Sequence, residues 1–262
     1  MSDDIILDVK DIGLHFGGVK AVDGLSFSIK KNQIHALIGP NGSGKTTTLN
    51  LITGVYQPQW GEANFDGKNI SRMPRADIAK IGITRTFQNL RIYNTLTVLE
   101  HVLVGDYINS NTGFFSSVFK LPAGRLDEKR AASKSMELLE KVGLADKAHS
   151  LATSLSYGQR RLLEIGRALA VKPKLLFLDE PAAGMSSNEI EQLIELLRLL
   201  KKEGMTIMII EHRMKLVMNV ADWIVVLNYG KKIAEGTAEE IQNHEEVIEA
   251  YLGKSHQKIS VA

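Results

Sequence analysis

The chain has 262 residues, of which 44% are hydrophobic and 24% are charged, a composition that predicts a folded protein with a well-buried core. A formal net charge of +2 provides no field for nucleic acid, and the absence of cysteine excludes disulfides and thiolate metal sites. The first residues are acidic where a signal peptide would be basic, and no apolar run approaches the roughly 18 residues that span a bilayer. We therefore expect a cytoplasmic protein that meets a membrane only through partners.

The amino-terminal segments predict antiparallel strands. IILDVK begins at Ile5, and AVDGLSFSIK begins at Ala21 with apolar residues at alternate positions; the turn Gly17-Gly18 separates the two. IHALIG, from Ile34, is an apolar run long enough for a buried strand, and it ends at a glycine-rich loop.

Later apolar runs alternate with helical segments, which favours a mainly parallel sheet covered by helices. Strands are predicted at ITRTF, LLFL, TIMII and WIVVL, which begin at Ile83, Leu175, Thr206 and Trp223. Helices are predicted after Lys45, over Ser187 to Glu203 and over Arg213 to Asn219. The predicted fold class is α/β.

The strand signal disappears between Thr97 and Ala170, where Glu128 to Gly143 shows helical spacing. We predict one domain over 5–253, with a core at about 5–96 and 165–253, an inserted helical lobe at about 97–164 and a solvated tail at 254–262. The aromatic-containing insert Asn109 to Gly124 is either a loop pinned by packed phenylalanines or a partner-binding surface.

The loop after the Ile34 strand reads GPNGSGKT and matches the phosphate-binding pattern G-x-x-x-x-G-K-[ST] between a strand and a helix. Its glycines allow successive backbone N–H groups to converge on phosphate oxygens, and the following helix adds its positive dipole end. Lys45 is expected to meet the β and γ phosphates, and the Thr46 hydroxyl to ligate Mg²⁺. The predicted ATP-binding residues are Gly39, Pro40, Asn41, Gly42, Ser43, Gly44, Lys45, Thr46 and Thr47.

Two adjacent carboxylates end the strand LLFLDE, at the edge where open parallel sheets bind ligands. Asp179 is suited to the magnesium shell and Glu180 to polarising a water molecule, since phosphoryl transfer needs neutralised charge and an oriented nucleophile.

Three further side chains lie next to predicted strands or the loop. His212 follows TIMIIE, Gln88 follows ITRTF, and Phe16 precedes the loop. Gln88 is suited to contact both magnesium and water, and Phe16 to stack on adenine. Taken alone, each has an ordinary alternative, as a structural histidine, a surface glutamine or a core phenylalanine.

The sequence LSYGQ, Leu155 to Gln159, precedes a helical segment and the LLFLDE strand. With this signature, the order of loop, glutamine, carboxylates and histidine resembles the ATP-binding cassette (ABC) ATPases from about Ile5 to Gly253. The resemblance implies a P-loop NTPase core with an amino-terminal antiparallel β subdomain and an inserted helical lobe.

The resemblance also implies roles for individual residues. It makes Glu180 the general base, His212 the γ-phosphate partner, Gln88 the magnesium and coupling residue and Phe16 the adenine-stacking residue. ABC ATPases work as dimers in which the signature of one subunit closes over ATP held by the other. The resemblance therefore implies contacts in trans from Ser156, Tyr157, Gly158 and Gln159. A helix beginning near Gln159 would offer N–H groups and a dipole to the phosphate.

Several segments depart from the common cassette pattern. Tyr157 replaces the usual second glycine of the signature, PAAGM (Pro181 to Met185) stands where a serine-alanine-leucine-aspartate loop is common, and Arg213 stands where an aspartate is common. The Tyr157 and PAAGM departures, with RTFQN, the insert after Gly105, IAEGT and EAYLG, resemble the larger ATPase subunit of branched-chain amino acid importers.

That likeness implies a second cassette subunit, identical or different, two membrane permeases and, indirectly, a solute-binding protein, with the chain peripheral on the cytosolic face of the membrane. We expect permease coupling near Gln88 to Glu100. Alternatives are an importer of amides or urea, a soluble cassette acting on nucleic acid or ribosomes, and a regulator that binds nucleotide without hydrolysis. We expect no nucleic-acid partner, because no basic face, tandem cassette or long coiled-coil insert is visible.

Overall fold

The computed structural model describes residues 4–86, 92–109 and 122–252, which form two compact units. The first, called the core unit, contains the described residues 4–83, 174–180 and 197–252. The second, called the helical unit, contains the described residues 84–86, 92–109, 122–173 and 181–196. The domain boundaries drawn from the sequence stay predictions.

A four-stranded antiparallel sheet opens the core unit. Its strands are β1 (Ile5–Phe16), β2 (Val19–Lys30), β4 (Trp60–Phe65) and β5 (Lys68–Asn69), in the order β2-β1-β4-β5. Alternating apolar side chains put one face of β1 and β2 in the core, and Leu7 pairs with Ile29 in that register. The predicted turn is present, with Gly17 at a φ of 55°.

The second sheet has six strands. These are β3 (Ile34–Ile38), β6 (Ile83–Arg85), β7 (Leu175–Asp179), β8 (Thr206–Ile210), β9 (Trp223–Asn228) and β10 (Lys231–Gly236), in the order β10-β9-β3-β8-β7-β6. β6 leaves the core unit after its first residue, Ile83. β3 runs parallel to both β8 and β9, β7 runs parallel to β8, and β10 is antiparallel to β9.

Helices flank this sheet in the core unit. They are α1 (Lys45–Ile52), α2 (Arg75–Lys80), α7 (Met214–Val220), α8 (Ala238–Gln242) and α9 (Glu245–Leu252), with the last turns of α6 (Ser187–Lys202) from Leu197 onward.

Successive residues of the central strands enter different apolar clusters, as the two-residue period of a strand requires. Leu37 on β3 belongs to a cluster shared with β1, β2 and α1, whereas its neighbours Ala36 and Ile38 belong to a second cluster that contains Val217 of α7 and Ile241 of α8. The sheet is therefore covered on both faces, which explains why its strands read as continuous apolar runs.

The helical unit contains α3 (Val98–Asn109), α4 (Pro122–Lys141), α5 (Tyr157–Ala170) and the first turns of α6. α5 packs against α3 and α4. Gly105 lets α3 approach α5 closely, because a Cβ there would crowd the Arg167 carbonyl and the Ala170 side chain. The predicted helical segment that begins at Glu128 lies in α4 as far as Lys141, and Gly143, the predicted stop, follows the end of the helix at a φ of 70°.

The predicted α/β class is confirmed, with one antiparallel sheet and one mainly parallel sheet packed with helices. The insert beyond Asn109 up to residue 121 and the tail 254–262 lie outside the described residues. No helix in the described parts of the chain combines the length and the apolar character that a membrane crossing requires.

Candidate nucleotide-binding site

The glycine-rich loop connects the buried end of β3 to α1, and two of its glycines are required by close contacts. A Cβ on Gly39 would overlap the carbonyl oxygen of Leu227, and one on Gly44 would overlap the carbonyl oxygen of Ala21. Both residues also have positive φ, 150° and 104°. The backbone of this loop is therefore held by the neighbouring strands in a conformation that other residues resist.

The open side of the loop has room for an anion. Gly42 is exposed, and a Cβ on it would meet no atom within 4 Å. Gly44 is the N-cap of α1 and no side chain among the described residues caps it, so the first N–H groups of this helix have no side-chain acceptor. A phosphate group fits this position by charge and by hydrogen-bonding capacity.

Lys45 lies inside the loop with 7% of its surface exposed. Its ammonium donates hydrogen bonds to the carbonyl oxygens of Gly39 and Pro40, each at 2.8 Å. Burial lowers the pKa of Lys45, while the nearby carboxylates of Glu180 and Asp179 act in the opposite direction. The cation is thus already placed beside the loop's backbone donors. Thr46 next to it is exposed, and Thr47 is partly buried.

Asp179 and Glu180 lie where the parallel strands end. Asp179 is the last residue of β7, is 2% exposed and pairs in register with Ile210 of β8. Glu180 follows it at a φ of 47°, and its amide donates to the Ile210 carbonyl at 2.9 Å. A non-glycine residue in this left-handed conformation costs backbone energy.

His212 lies at the same edge of the sheet. Its Nδ1 is 3.8 Å from the Glu180 carboxylate, an ion-pair distance when the imidazole carries a proton. Half of the His212 side chain and about a quarter of that of Glu180 are exposed, so both reach solvent at the strand ends. The structure therefore brings together the predicted base, the predicted histidine and the phosphate loop within the core unit.

Glu211 is a residue whose role the sequence reasoning missed. Its carboxylate is fully buried and accepts hydrogen bonds from the backbone amides of His212, at 3.0 Å, and of Arg213, at 3.2 Å. These bonds fix the turn that carries His212. A carboxylate at the end of the otherwise apolar run TIMIIE is the signal that could have identified it.

Phe16 ends β1 and is 47% exposed. Its ring makes an edge-to-face contact with Tyr56, with the centroids 5.4 Å apart. Tyr56 is itself 40% exposed and was not singled out in the sequence. The contact with Tyr56 supports the exposed Phe16 ring, whose apolar face is suited to stack on a base.

A groove of about 600 Å³ lies beside the loop in the core unit. Its walls come from the loop, from the turn after β9 and from α9, and are lined by Pro40, Asn41, Gly42, Ser43, Asn228, Tyr229, Ile233, Glu246, Glu249 and Ala250. Tyr229 is 83% exposed. α9 is therefore a neighbour of the phosphate loop, although the two are about 200 residues apart in sequence.

The signature residues lie in the helical unit, at the start of α5. Ser156 is the N-cap, and its Oγ accepts from the Gln159 amide at 3.2 Å while the Gln159 side chain accepts from the Ser156 amide at 3.1 Å. Ser156 and Tyr157 are exposed, and Gly158 is buried. This capping box explains why the helix begins at the signature.

Tyr157, the departure from the common signature, has contacts of its own. Its hydroxyl accepts a hydrogen bond from Arg161 at 3.1 Å, and its ring packs against Gly184 in the PAAGM segment. Gln88 lies outside the described residues. The roles assigned from the sequence to Gln88, Ser156, Tyr157, Gly158 and Gln159 stay predictions.

A phosphate loop, a helix that begins directly after the loop's last glycine and two carboxylates at the carboxyl edge of a parallel sheet define a P-loop nucleotide-binding protein. The chain matches the ABC transporter family over residues 22–183 and the branched-chain amino acid ATP-binding cassette transporter family over residues 231–257. It belongs to the ABC transporter family, as an ATP-binding ATPase chain, so the predicted family is confirmed.

Similar proteins cover nearly the whole chain. It is 43% identical over 251 residues to the high-affinity branched-chain amino acid transport ATP-binding protein BraF of Pseudomonas aeruginosa, which covers 95% of this chain and 98% of the relative. It is 41% identical, with the same coverage, to the protein LivG of Salmonella typhimurium, which carries the same description.

Solved structures share the fold. The ADP conformation of MJ1267, an ATP-binding cassette of an ABC transporter, is 36% identical, covers 95% of this chain and 99% of its own, and has a TM-score of 0.82. The dimeric cassette MJ0796 bound to ADP and phosphate has a TM-score of 0.75 at 24% identity, covers 89% of this chain and 99% of its own, and bears on the fold alone.

Proposed function

We propose that this chain is the ATP-hydrolysing subunit of an importer for branched-chain amino acids. The observation that carries the proposal is the meeting of the phosphate loop, Glu180 and His212 at one edge of the parallel sheet, in a chain with about two-fifths identity to ATP-binding proteins of branched-chain amino acid transport.

ATP is held first by the loop. Backbone N–H groups from Gly39 to Thr47 and the start of α1 surround the β and γ phosphates, and Lys45 adds a point charge. Phe16, supported by Tyr56, stacks on the adenine. The loop carbonyls that now hold the Lys45 ammonium keep it beside the phosphate position before the nucleotide arrives.

Mg²⁺, when bound, neutralises charge that develops on the phosphate oxygens. Thr46, Asp179 and Gln88 are the residues that would hold it. The described residues contain no group of three or more His, Asp and Glu side chains placed to bind a metal alone, and magnesium in such sites commonly takes one or two protein ligands plus substrate phosphates.

Glu180 acts as the general base. Its carboxylate accepts the proton of the attacking water, and the adjacent His212, 3.8 Å away, is available to contact the γ phosphate. The water's oxygen attacks the γ phosphorus, the bond to the β–γ bridging oxygen breaks, and ADP and phosphate result. The Glu211 carboxylate accepts hydrogen bonds from the His212 and Arg213 amides and so keeps the turn that carries the imidazole in place.

The active assembly is a dimer of cassettes in which Ser156, Tyr157, Gly158 and Gln159 of one subunit cover the ATP of the other. The partner is a second copy of this chain or a different cassette subunit. ATP bound across the two half-sites favours the closed dimer, and hydrolysis removes that preference.

Transport follows from coupling this cycle to two membrane permeases, which receive solute from a solute-binding protein. The segment from Gln88 to Glu100 is the proposed contact, because Gln88 follows the strand that leaves the core unit. The chain therefore works on the cytosolic face of the membrane as a peripheral subunit.

The test is purification of tagged Glu180→Gln with Mg-ATP from gently solubilised native membranes, followed by identification of what accompanies it. We expect two permeases and a cassette partner, and we expect the purified complex to bring branched-chain amino acids across a vesicle membrane once Glu180 is restored. Lys45→Ala is the control that should lose ATP-dependent association. Recovery of ribosomes, nucleic acid or permeases for another solute would contradict the proposed transport role.

A further inference from the structure

One carboxylate connects the starts of two helices in the helical unit. Glu189 lies in the first turn of α6, and its Oε1 accepts a hydrogen bond from the Ser156 hydroxyl at the start of α5, at 2.9 Å. Ser156 and Glu189 are 33 residues apart in sequence. The signature serine therefore already has a negatively charged acceptor within its own subunit.

The other oxygen of Glu189 belongs to the cap of its own helix. Oε2 accepts from the Ser186 amide and the Ser186 hydroxyl, each at 2.9 Å. These bonds, with those from the Ser156 hydroxyl and the Gly158 amide, lower the pKa of Glu189. A Cβ on Gly158 would overlap this carboxylate, so the glycine admits it close to the helix start. These hydrogen bonds thus keep the Glu189 carboxylate ionised and hold it at the start of α5.

Another capping box in the chain provides a comparison. Glu240 accepts from the amide and hydroxyl of Thr237 at 2.7 and 3.0 Å, and similar box bonds lower its pKa. Among the described residues, no hydrogen bond joins the Glu240 carboxylate to the start of a second helix. The contact to Ser156 is therefore an addition to the cap and not a requirement of it.

A serine hydroxyl has one proton to donate. The proposed function requires the Ser156 hydroxyl to donate to the γ phosphate held by the partner subunit, whereas in the structure this hydroxyl donates to the Glu189 carboxylate. We infer that Glu189 is a positioning residue that competes with the γ phosphate for the Ser156 hydroxyl, and so sets the ATP concentration at which the dimer closes. This inference rests on the proposed role of the signature in trans.

The competition has a definite direction. Closing exchanges a charge-assisted bond to a carboxylate for one to phosphate, and it places the phosphate near a fixed negative charge. ATP shifts the equilibrium between the open and the closed dimer only by its difference in affinity for the two states. Because the Glu189 carboxylate stabilises the open state through Ser156, it raises the ATP concentration needed to close the dimer. Neutralising Glu189 while preserving its shape should favour closing.

The experiment measures dimerisation by light scattering against ATP concentration, with magnesium, in chains that carry Glu180→Gln to prevent turnover. Adding Glu189→Gln should lower the half-maximal ATP concentration about fivefold to tenfold, whereas adding the matched change Glu240→Gln should leave it within about twofold. Ser186→Ala, which removes the cap but keeps the carboxylate, should not lower it. With Glu180 intact, Glu189→Gln should lower the KM for ATP without raising kcat.

The outcomes separate this inference from the function on which it rests. If Ser156→Ala abolishes dimerisation but Glu189→Gln behaves as Glu240→Gln does, or requires more ATP, the competition is wrong and the function stands. If Ser156→Ala closes with ATP as readily as its parent, the role of the signature in trans fails, and the inference fails with it.

Discussion

Gly44 carries two separate constraints, and substitutions in the same chain can measure each. Its φ of 104° is unfavourable for other residues, and an added Cβ would strike the Ala21 carbonyl. Gly42 has only the first constraint, a φ of 78° in open space, and Gly18 has neither. We expect Gly18→Ala to change the free energy of unfolding by less than about 0.5 kcal/mol. Gly42→Ala should cost about 1 kcal/mol and Gly44→Ala about 3 kcal/mol.

Urea denaturation of the three variants, without nucleotide, tests this order. Equal stabilities for Gly42→Ala and Gly44→Ala would show that the Ala21 contact does not constrain the loop. ATP binding should be lost in Gly44→Ala, because the N–H groups of the loop and of the start of α1 no longer converge.

His35 makes the stability of the folded chain depend on pH. It is 2% exposed, burial lowers its pKa to about 4, and its Nε2 accepts from the Lys30 amide at 3.1 Å. Asp222 and Glu235 oppose the shift and Lys30 adds to it. The folded state keeps this imidazole neutral, whereas the unfolded chain takes up a proton below about pH 6.5.

The unfolded state thus binds more protons between pH 6.5 and 4, so stability from this group is lost as the pH falls through that window. Relative to pH 7.5, the free energy of unfolding should fall by about 2 kcal/mol at pH 5 through this group. Urea denaturation of the wild-type chain and of His35→Asn at pH 7.5, 6 and 5 measures it. The variant should be less stable at pH 7.5 but should lack this part of the pH dependence; parallel curves would contradict the assignment.

Side chains next to strand ends could be predicted from sequence, and those that act across the chain could not. Asp179 directly follows an apolar run, His212 comes two residues after another, and Lys45 lies in the glycine-rich loop that follows a third. The strand edge and the loop pattern therefore place these side chains without further information. Glu189 meets Ser156 from 33 residues away, and the pair Ser186 and Glu189 signals only a helix start.

The first turn of α5 is the element in which this chain departs most from the common signature. Tyr157 bonds Arg161, whose side chain is 3% exposed, and its ring lies 5.5 Å from the guanidinium. Tyr157→Phe should cost about 1 kcal/mol through the lost acceptor. Tyr157→Gly, which restores the common residue, should cost about 2 to 3 kcal/mol because the ring contact and helix propensity are lost as well.

Thermal unfolding followed by circular dichroism measures both variants. Tyr93→Phe is the control, since Tyr93 is a half-exposed tyrosine of the same unit whose hydroxyl makes no hydrogen bond to the described residues. If Tyr157→Gly raised the Tm, the contacts of Tyr157 with Arg161 would not stabilise the fold, which would contradict this prediction.

Long apolar or periodic segments were predicted well because one signal covers the whole element. β3, β7, β8 and β9 begin at the expected residues. β1 continues to Phe16, beyond the predicted IILDVK, across a register shift near Asp11, which has a φ of 49°. The sequence does not predict β4, α2 and α8, since five or six residues with polar or glycine positions carry little periodicity.

At the scale of the whole molecule, nucleotide binding and dimerisation should each stabilise the folded state, and the two effects should be distinguishable in its thermal unfolding. Saturation of the loop at about 100 times its Kd should add about 2.7 kcal/mol to the Glu180→Gln chain. Closing of the dimer should then make the Tm rise with protein concentration, but only when ATP is present.

Ser156→Ala separates the two effects. In the Glu180→Gln background it should keep the ATP-dependent rise in Tm, because the loop is unchanged, and lose the dependence on protein concentration. Differential scanning fluorimetry across a range of protein concentrations tests this. If the variant also lost the first rise, the signature would contribute to the ATP site of its own subunit.

The groove between the phosphate loop and α9 gives the chain a convenient place for a fluorescent reporter. Because the sequence contains no cysteine, Tyr229→Cys would create a single labelling position, and the parent side chain there is 83% exposed at the wall of that groove. An environment-sensitive dye attached to this thiol would sit beside Asn41 and Gly42, at the rim of the phosphate loop. Its emission would follow nucleotide entry and release in real time, in the same sample that is being assayed for turnover.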